Sequence, residues 1–191
     1  LRDLDANRLQ VLRRPDVAFA VKGTSFRLAG LLGDIESAKG FDGGIAALFR
    51  LAPGDCHRLY FPCDGRTCAH RRVSGAYYSV TPFPGNDRPF YSLNQRTVSL
   101  FESERFGTLG FVDVGGFLIS SIRFVHGAGA AVKKGGERSR FEFGGSTLVL
   151  LCRRGVAVFR DDLRAASARG EETPVRIGEI VARRQGGPAW P

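Results

Sequence analysis

The sequence contains no methionine, only four lysines, three histidines and one tryptophan, and no long apolar run. Because the chain begins with Leu1 rather than Met, we expect that it is not the complete translated product and that any targeting or anchoring segment lies upstream. An apolar run of about 20 residues is needed to span a bilayer as a helix, and this sequence has none. A transmembrane helix within these residues is therefore excluded.

Because lysine is scarce, arginine supplies most of the formal net charge of +9. Such a charge attracts phosphate groups, either of nucleic acid or of an anionic membrane surface. No helix-turn-helix, RNA-binding or zinc-finger pattern is present, and the arginines are dispersed rather than arranged in a stripe. We therefore predict no nucleic-acid partner. Two alternatives remain, an anionic membrane surface as partner and an arginine-rich solvated surface with no partner.

The cysteines are too few for a disulfide framework in a chain of 191 residues. Three of them lie near His57 and His70, but they lack the paired Cys-x-x-Cys spacing of zinc ribbons and fingers. We predict reduced, partly buried thiols and no metal site. The four cysteines are Cys56, Cys63, Cys68 and Cys152.

Composition and patterning indicate a single domain over residues 1–191, of the β-rich α+β class. The hydrophobic fraction of 43% and the charged fraction of 25% are ordinary for a globular protein. The 25 scattered glycines favour many turns, and therefore many short antiparallel strands with one or two peripheral helices.

Local patterns predict several individual elements. Residues 25–38 read as one amphipathic helix with Ser25 as its cap. The region after Arg160 is expected to form a short helix and then a loose tail. Residues 141–152 and 156–160 read as a hairpin through Arg153-Arg154-Gly155. Strands are predicted over residues 45–51, 96–101 and 109–114.

The stretch Gly144-Gly145-Ser146-Thr147 precedes the apolar run of residues 148–152. Two glycines allow backbone conformations that a side chain would forbid, and they let another group approach the peptide bond closely. A serine hydroxyl beside such a carbonyl can attack it, given a base and donors for the oxyanion. The structural alternative is a glycine bulge that leads into a strand.

These four residues resemble the self-cleavage motif of the phosphatidylserine decarboxylase family. Further segments follow the family's order and approximate spacing, and together the similarity covers roughly residues 5–163. The segments are Lys22-Gly23, Leu31-Leu32-Gly33-Asp34, Phe49-Arg50-Leu51-Ala52-Pro53-Gly54-Asp55-Cys56-His57-Arg58, Pro62-Cys63-Asp64-Gly65, Tyr78-Ser79-Val80-Thr81-Pro82 and Val132-Lys133-Lys134-Gly135.

The resemblance implies a compact, mainly β domain that cuts itself between Gly145 and Ser146. The products would be a β subunit of residues 1–145 and an α subunit of residues 146–191, which starts at a pyruvoyl group derived from Ser146. The ketone of that group would accept electrons as carbon dioxide leaves, so no external cofactor is required. Thr147 is a candidate to help hold the oxyanion.

The family resemblance also implies a set of processing residues. The family's motif Tyr-His-Arg-x-His-x-Pro reads here Cys-His-Arg-Leu-Tyr-Phe-Pro over residues 56–62. His57 keeps the first histidine, whose family role is in decarboxylation. Tyr60 replaces the second, which serves as base toward the serine, and an ordinary tyrosine is a poor base at neutral pH. His57 or His70 is the candidate replacement, and the triad aspartate is Asp5, with Asp3 as the alternative.

The leading hypothesis is a peripheral membrane enzyme that converts phosphatidylserine to phosphatidylethanolamine. One alternative is a processing-deficient, non-enzymatic homologue that binds lipid. Another is a relative that decarboxylates a soluble amino acid such as tryptophan. The expected partners are the substrate and an anionic membrane surface, and a homodimer is left open.

Overall fold

The computed structural model describes residues 6–13, 19–21, 24–52, 54–78, 93–116, 121–142, 146–188 and 190. These residues form an eight-stranded antiparallel sheet with two short helices on one face and a three-stranded sheet on the other. The predicted β-rich α+β class is confirmed.

The main sheet has the strand order β10-β6-β7-β8-β12-β4-β1-β14, and every neighbouring pair is antiparallel. Its central strands are largely buried, because both faces are covered. The strands are β1 Ala6–Arg13, β4 Ile45–Leu51, β6 Gly65–Val73, β7 Arg96–Ser103, β8 Gly107–Val114, β10 Ala131–Val132, β12 Ser146–Cys152 and β14 Thr173–Arg176. The strands predicted over residues 45–51, 96–101 and 109–114 are confirmed as β4, β7 and β8.

Three smaller sheets accompany the main one. The three-stranded sheet has the order β5-β11-β9, and the others pair β13 with β15 and β2 with β3. Their strands are β2 Phe19–Val21, β3 Thr24–Phe26, β5 Arg58–Tyr60, β9 Ile122–Phe124, β11 Glu137–Phe141, β13 Ala157–Phe159 and β15 Ala182–Arg184.

The single helix predicted over residues 25–38 is wrong. Ser25 belongs to β3, and two helices follow, α1 Leu28–Leu32 and α2 Ile35–Lys39. Gly33 ends α1 in the left-handed conformation, with φ of 67°. Asp34 then caps α2, because its carboxylate accepts hydrogen bonds from two backbone amides of that helix. The sequence pattern did not show this break, because the apolar spacing continues across it.

The hairpin predicted at Arg153-Arg154-Gly155 is also wrong. The chain does turn there, with Gly155 at φ of 73°. However, β12 already has β4 and β8 as its two neighbours, so β13 cannot pair with it and pairs with β15 instead. The helix after Arg160 is confirmed as α3 Asp161–Ala168. The expected loose tail instead contains β14 and β15.

The hydrophobic core lies on both faces of the main sheet. On one face, α1 packs Leu31 and Leu32 against Val112, Val149 and Leu151, and all five side chains are buried. The opposite face is rich in phenylalanine. Its buried members include Phe61, Phe101, Phe111 and Phe159. At one end of this second face, the three-stranded sheet covers Leu51 and Leu148.

Candidate active site

Ser146 is the first residue of β12 and lies opposite Leu51 of β4. Residues that lie directly opposite in a sheet project from the same face, so Ser146 faces the three-stranded sheet, as Leu51 does. Ser146 is fully buried, and its Oγ has no hydrogen-bond partner among the described residues. Gly144 and Gly145 lie outside the described residues.

His57 lies just before β5, and its ring is held from two sides. Nδ1 lies 2.8 Å from the carbonyl oxygen of Asp55. The ring meets Phe141 edge to face, with centroids 6.5 Å apart, and the backbone amide of Phe141 donates to the carbonyl of His57 over 3.0 Å. Nε2 is buried and has no partner in the described part of the chain.

The structure brings His57 and Ser146 to the same end of the molecule. Phe141, which contacts the His57 ring, packs in one buried cluster with Leu51 and Leu59. Leu51 is the residue opposite Ser146. A short series of contacts therefore connects the imidazole with the serine strand.

Tyr60 lies on β5 opposite Glu137, and it is half-buried. Burial raises the pKa of its phenol, and the nearby Cys56 and Glu137 raise this pKa further. The phenol therefore stays protonated at neutral pH and is suited to donate a hydrogen bond rather than to accept a proton.

His70 is not brought to the serine. His70 lies on β6, three strands away from β12, which is about 14 Å across the sheet. Its ring instead stacks on Phe124, with centroids 4.2 Å apart. The idea that His70 serves as the base is therefore wrong. Asp5 and Asp3 lie outside the described residues, but β1, which follows Asp5, begins at the same end of the sheet as Ser146.

Sequence reasoning missed an ion pair next to this site. Arg138 donates to both carboxylate oxygens of Asp113, over 2.5 and 3.0 Å. Asp113 is fully buried and Arg138 is 3% exposed. Asp113 lies opposite Leu148, so it projects from the same face as Ser146, which is two residues earlier on β12. The available signal was a charged residue inside the otherwise apolar β8.

Unpaired polar atoms are concentrated around this end of the small sheet. In the described residues, six buried side-chain nitrogen or oxygen atoms have no hydrogen-bond partner, and four belong to His57, Arg138, Ser139 and Ser146. Burying a polar atom without a partner is unfavourable, and such atoms mark places where another group binds or reacts. We therefore take this region as the candidate active site.

A cavity among the described residues lies away from this region. It has a volume of about 1070 Å³ and is lined by residues that include Gly65, Ser103, Phe106 and Trp190. Ser103 pairs with the beginning of β8, whereas Ser146 lies near the end of β8. Strand β12 runs about 20 Å between these two ends of the sheet. The cavity therefore lies at the opposite end of the sheet from Ser146.

Metal ligation receives no support in the described part of the chain. No group of three or more histidine, cysteine, aspartate or glutamate side chains is arranged there to hold an ion. All four cysteines are free thiols, as expected from their number and spacing. Burial raises the pKa of Cys152 to about 12, which keeps this thiol protonated and unreactive.

The described residues thus form a β-rich α+β protein in which a buried serine hydroxyl starts a strand, and contacts through Leu51 and Phe141 lead from that strand to a histidine. Comparison with known proteins then identifies the family. The family model for phosphatidylserine decarboxylase matches residues 5–183. The chain therefore belongs to the phosphatidylserine decarboxylase family.

Its relatives carry the name phosphatidylserine decarboxylase proenzyme. The protein of Chlamydia trachomatis serovar L2 is 37% identical over 167 residues, which are 87% of this chain and 56% of the relative. The protein of Clostridium novyi is 38% identical over 162 residues, or 84% of this chain and 55% of the relative. That of Ruminiclostridium cellulolyticum is 34% identical over 162 residues. The chain thus spans about half the length of these relatives.

Proposed function

We propose that this chain is a self-processing phosphatidylserine decarboxylase domain that converts phosphatidylserine to phosphatidylethanolamine. Ser146 supplies the pyruvoyl group, and the chain is cut between Gly145 and Ser146. The proposal depends mainly on the buried, unpaired hydroxyl of Ser146, which follows two glycines in a member of this family.

Self-cleavage begins when Ser146 Oγ attacks the carbonyl carbon of Gly145. The bond from that carbon to the Ser146 nitrogen breaks, and an ester to Oγ takes its place. Loss of the Ser146 α-proton then expels the Gly145 carboxylate and ends the first subunit. One water hydrolyses the remaining dehydroalanine, which releases ammonia and leaves a ketone at the new N-terminus.

His57 is the base that the described residues offer for the first step. The carbonyl of Asp55 can only accept a hydrogen bond, so Nδ1 of a neutral His57 ring carries the hydrogen. Nε2 then has a free lone pair, and no described residue occupies it. Tyr60 is protonated and cannot accept the serine proton.

Ser146 fits the pyruvoyl group because its hydroxyl is buried and makes no competing hydrogen bond. When formed, the group supplies the ketone that accepts electrons during loss of carbon dioxide. The surrounding chain excludes water, since Leu51, Leu59 and Phe141 are buried together. In this proposal, His57 Nε2, once protonated, returns a proton to the substrate carbon.

The substrate is part of a membrane lipid, so we propose that the protein binds the membrane surface peripherally. The net charge of +9 favours anionic lipid. No helix in the described part of the chain is long and apolar enough to cross a bilayer.

A second candidate is the non-enzymatic homologue. The replacement of the family's histidine base by Tyr60, whose pKa is raised, favours this alternative. Such a protein keeps the fold and the lipid surface but remains uncut.

Mass spectrometry of the purified protein separates the two candidates. The proposed function predicts a fragment of residues 146–191 that is blocked at its N-terminus and lighter by one ammonia than the product of plain hydrolysis. Ser146→Ala is the control and must stay intact. If the wild-type chain also stays at full length after long incubation, it is the non-enzymatic homologue. Assays for carbon dioxide release from phosphatidylserine vesicles and from free tryptophan then identify the substrate.

A further inference from the structure

An ion pair is buried between the two sheets, and no step of the proposed reaction uses it. The guanidinium of Arg138 binds both oxygens of Asp113 and lies 4.5 Å above the ring of Phe111. Nη1 of Arg138 also lies within 3.5 Å of Ser99 Oγ. A guanidinium that binds both carboxylate oxygens and stacks on a ring has one defined orientation. The ion pair therefore fixes the position of β11 relative to β8.

Arg138 reaches Asp113 because β11 contains a bulge. Glu137 lies opposite Tyr60 and Ser139 lies opposite Leu59, which leaves Arg138 as the extra residue on β11. A bulge bends its strand and redirects a side chain, and bulges are frequent next to active sites. As a result, both Arg138 and the following Ser139 are buried, although strand neighbours normally face opposite sides.

Stability alone does not account for this arrangement. Removing two ions from water is so unfavourable that an apolar pair of similar size is often as stable as a buried ion pair. What the pair adds is a fixed relation between two elements. Arg138 belongs to the strand of Phe141, whose ring contacts His57, whereas Asp113 belongs to the strand next to that of Ser146.

We propose that Asp113 and Arg138 are positioning residues for self-cleavage. Their ion pair holds the three-stranded sheet, and His57 with it, in place against the strand that starts at Ser146. The inference rests on the proposed function, because it assigns His57 and Ser146 to one reaction. It also predicts a property of the uncut protein, namely that the pair keeps His57 Nε2 buried.

The main test is the double variant Asp113→Leu/Arg138→Met, which replaces both ions by apolar groups. Asp113→Asn, which removes only the charge, is the second variant. It tests the positioning role if the double variant is unfolded. Arg140→Gln is the matched control, because Arg140 lies on the same strand but forms an exposed ion pair with Glu137. Thermal unfolding of each full chain shows which variants are folded.

Two readouts are compared in the folded variants. The first is the rate at which the 146–191 fragment appears. The second is the rate at which diethyl pyrocarbonate modifies His57, followed by peptide mass mapping in a Ser146→Ala background so that cleavage plays no part. The chain has only three histidines, so the His57 peptide is easily distinguished.

We expect the test variants to cleave at least tenfold more slowly and to expose His57 to modification at least tenfold faster, while Arg140→Gln behaves as wild type. A folded test variant with the wild-type modification rate would overturn the positioning role. If the wild-type chain is never cut, the proposed function fails, but the modification rates still decide whether the pair holds His57.

Discussion

The carbonyl oxygen of Asp55 lies 2.8 Å from Nδ1 of His57, and this contact determines the chemistry available to the imidazole. Because a carbonyl accepts and never donates, it selects the ring tautomer with hydrogen on Nδ1. Nε2 is then the basic nitrogen. The Asp55 contact thus orients the ring through the backbone, a function that a carboxylate fulfils in a serine protease triad.

The first prediction concerns this ring. His57→Gln keeps a polar side chain of similar length but removes the base, so we expect formation of the 146–191 fragment to fall at least 100-fold, as is typical for loss of a general base. The measurement is a time course by mass spectrometry. His126→Gln is the control, because His126 lies against Phe61 outside the proposed site. Unchanged cleavage in His57→Gln would remove His57 from the mechanism.

The second prediction uses pH to distinguish the two candidate bases. Burial raises the pKa of Tyr60 above its ordinary value of about 10. If Tyr60 were the base, the cleavage rate would therefore continue to rise beyond pH 10, as more phenolate formed. We expect no such rise above pH 10, because the rate then does not depend on forming the Tyr60 phenolate. Tyr60→Phe should show the same profile as wild type.

The third prediction is a gain of function. Tyr60→His restores the second histidine of the family's motif at a half-buried position. A neutral imidazole accepts a proton at pH 7 far better than a phenol, so we expect at least tenfold faster cleavage. The rate is measured as fragment formation at pH 7. Tyr60→Gln is the control that removes the phenol without adding a base, and a gain in both variants would show that the phenol merely obstructs the site.

The sequence predicted the fold class, the central strands and the serine motif for clear physical reasons. Strands β4 and β8 are mainly apolar, β7 mixes apolar and polar residues, and turn residues bound these segments, which is a local signal. The break at Gly33 was missed because apolar spacing continues across it. The absent hairpin after β12 was missed because it depends on β4 and β8 occupying both sides of that strand, which is a long-range property.

The candidate site could be predicted from the sequence only where its residues belong to a short sequence motif. Ser146 with its glycines, and His57 in its motif, are readable from the sequence. Asp113 and Arg138 are 25 residues apart and meet only because β11 has a bulge and lies over β8. The remote position of His70 follows from the strand order, which local patterns do not encode.

The fourth prediction separates packing near the site from packing elsewhere. Phe141→Leu reduces the ring contact that holds His57. Phe159→Leu makes the same change in β13, within the buried phenylalanine-rich cluster on the second face of the sheet. Both residues are buried, so both variants lose stability, by less than the about 3–5 kcal/mol typical of Phe→Ala. Only Phe141→Leu is expected to slow formation of the fragment, by about tenfold. Equal cleavage rates in the two variants would show that the Phe141 ring does not position His57.

The fifth prediction concerns the effect of the buried Ser146 hydroxyl on the stability of the folded protein. Ser146 is fully buried and its Oγ has no partner among the described residues, so the folded protein bears an unfavourable desolvation of about 1–3 kcal/mol at this atom. Ser146→Ala removes the hydroxyl without creating a large cavity. We therefore expect a variant that is never cut and whose midpoint of thermal unfolding equals or exceeds that of the uncut wild-type chain. Val149→Ala, three residues further along the same strand and on its other face, is the control that must lower the midpoint, because it removes buried apolar volume. A lower midpoint in Ser146→Ala would show that the hydroxyl is stabilising in the fold, and it would then be a structural group rather than one held ready for reaction.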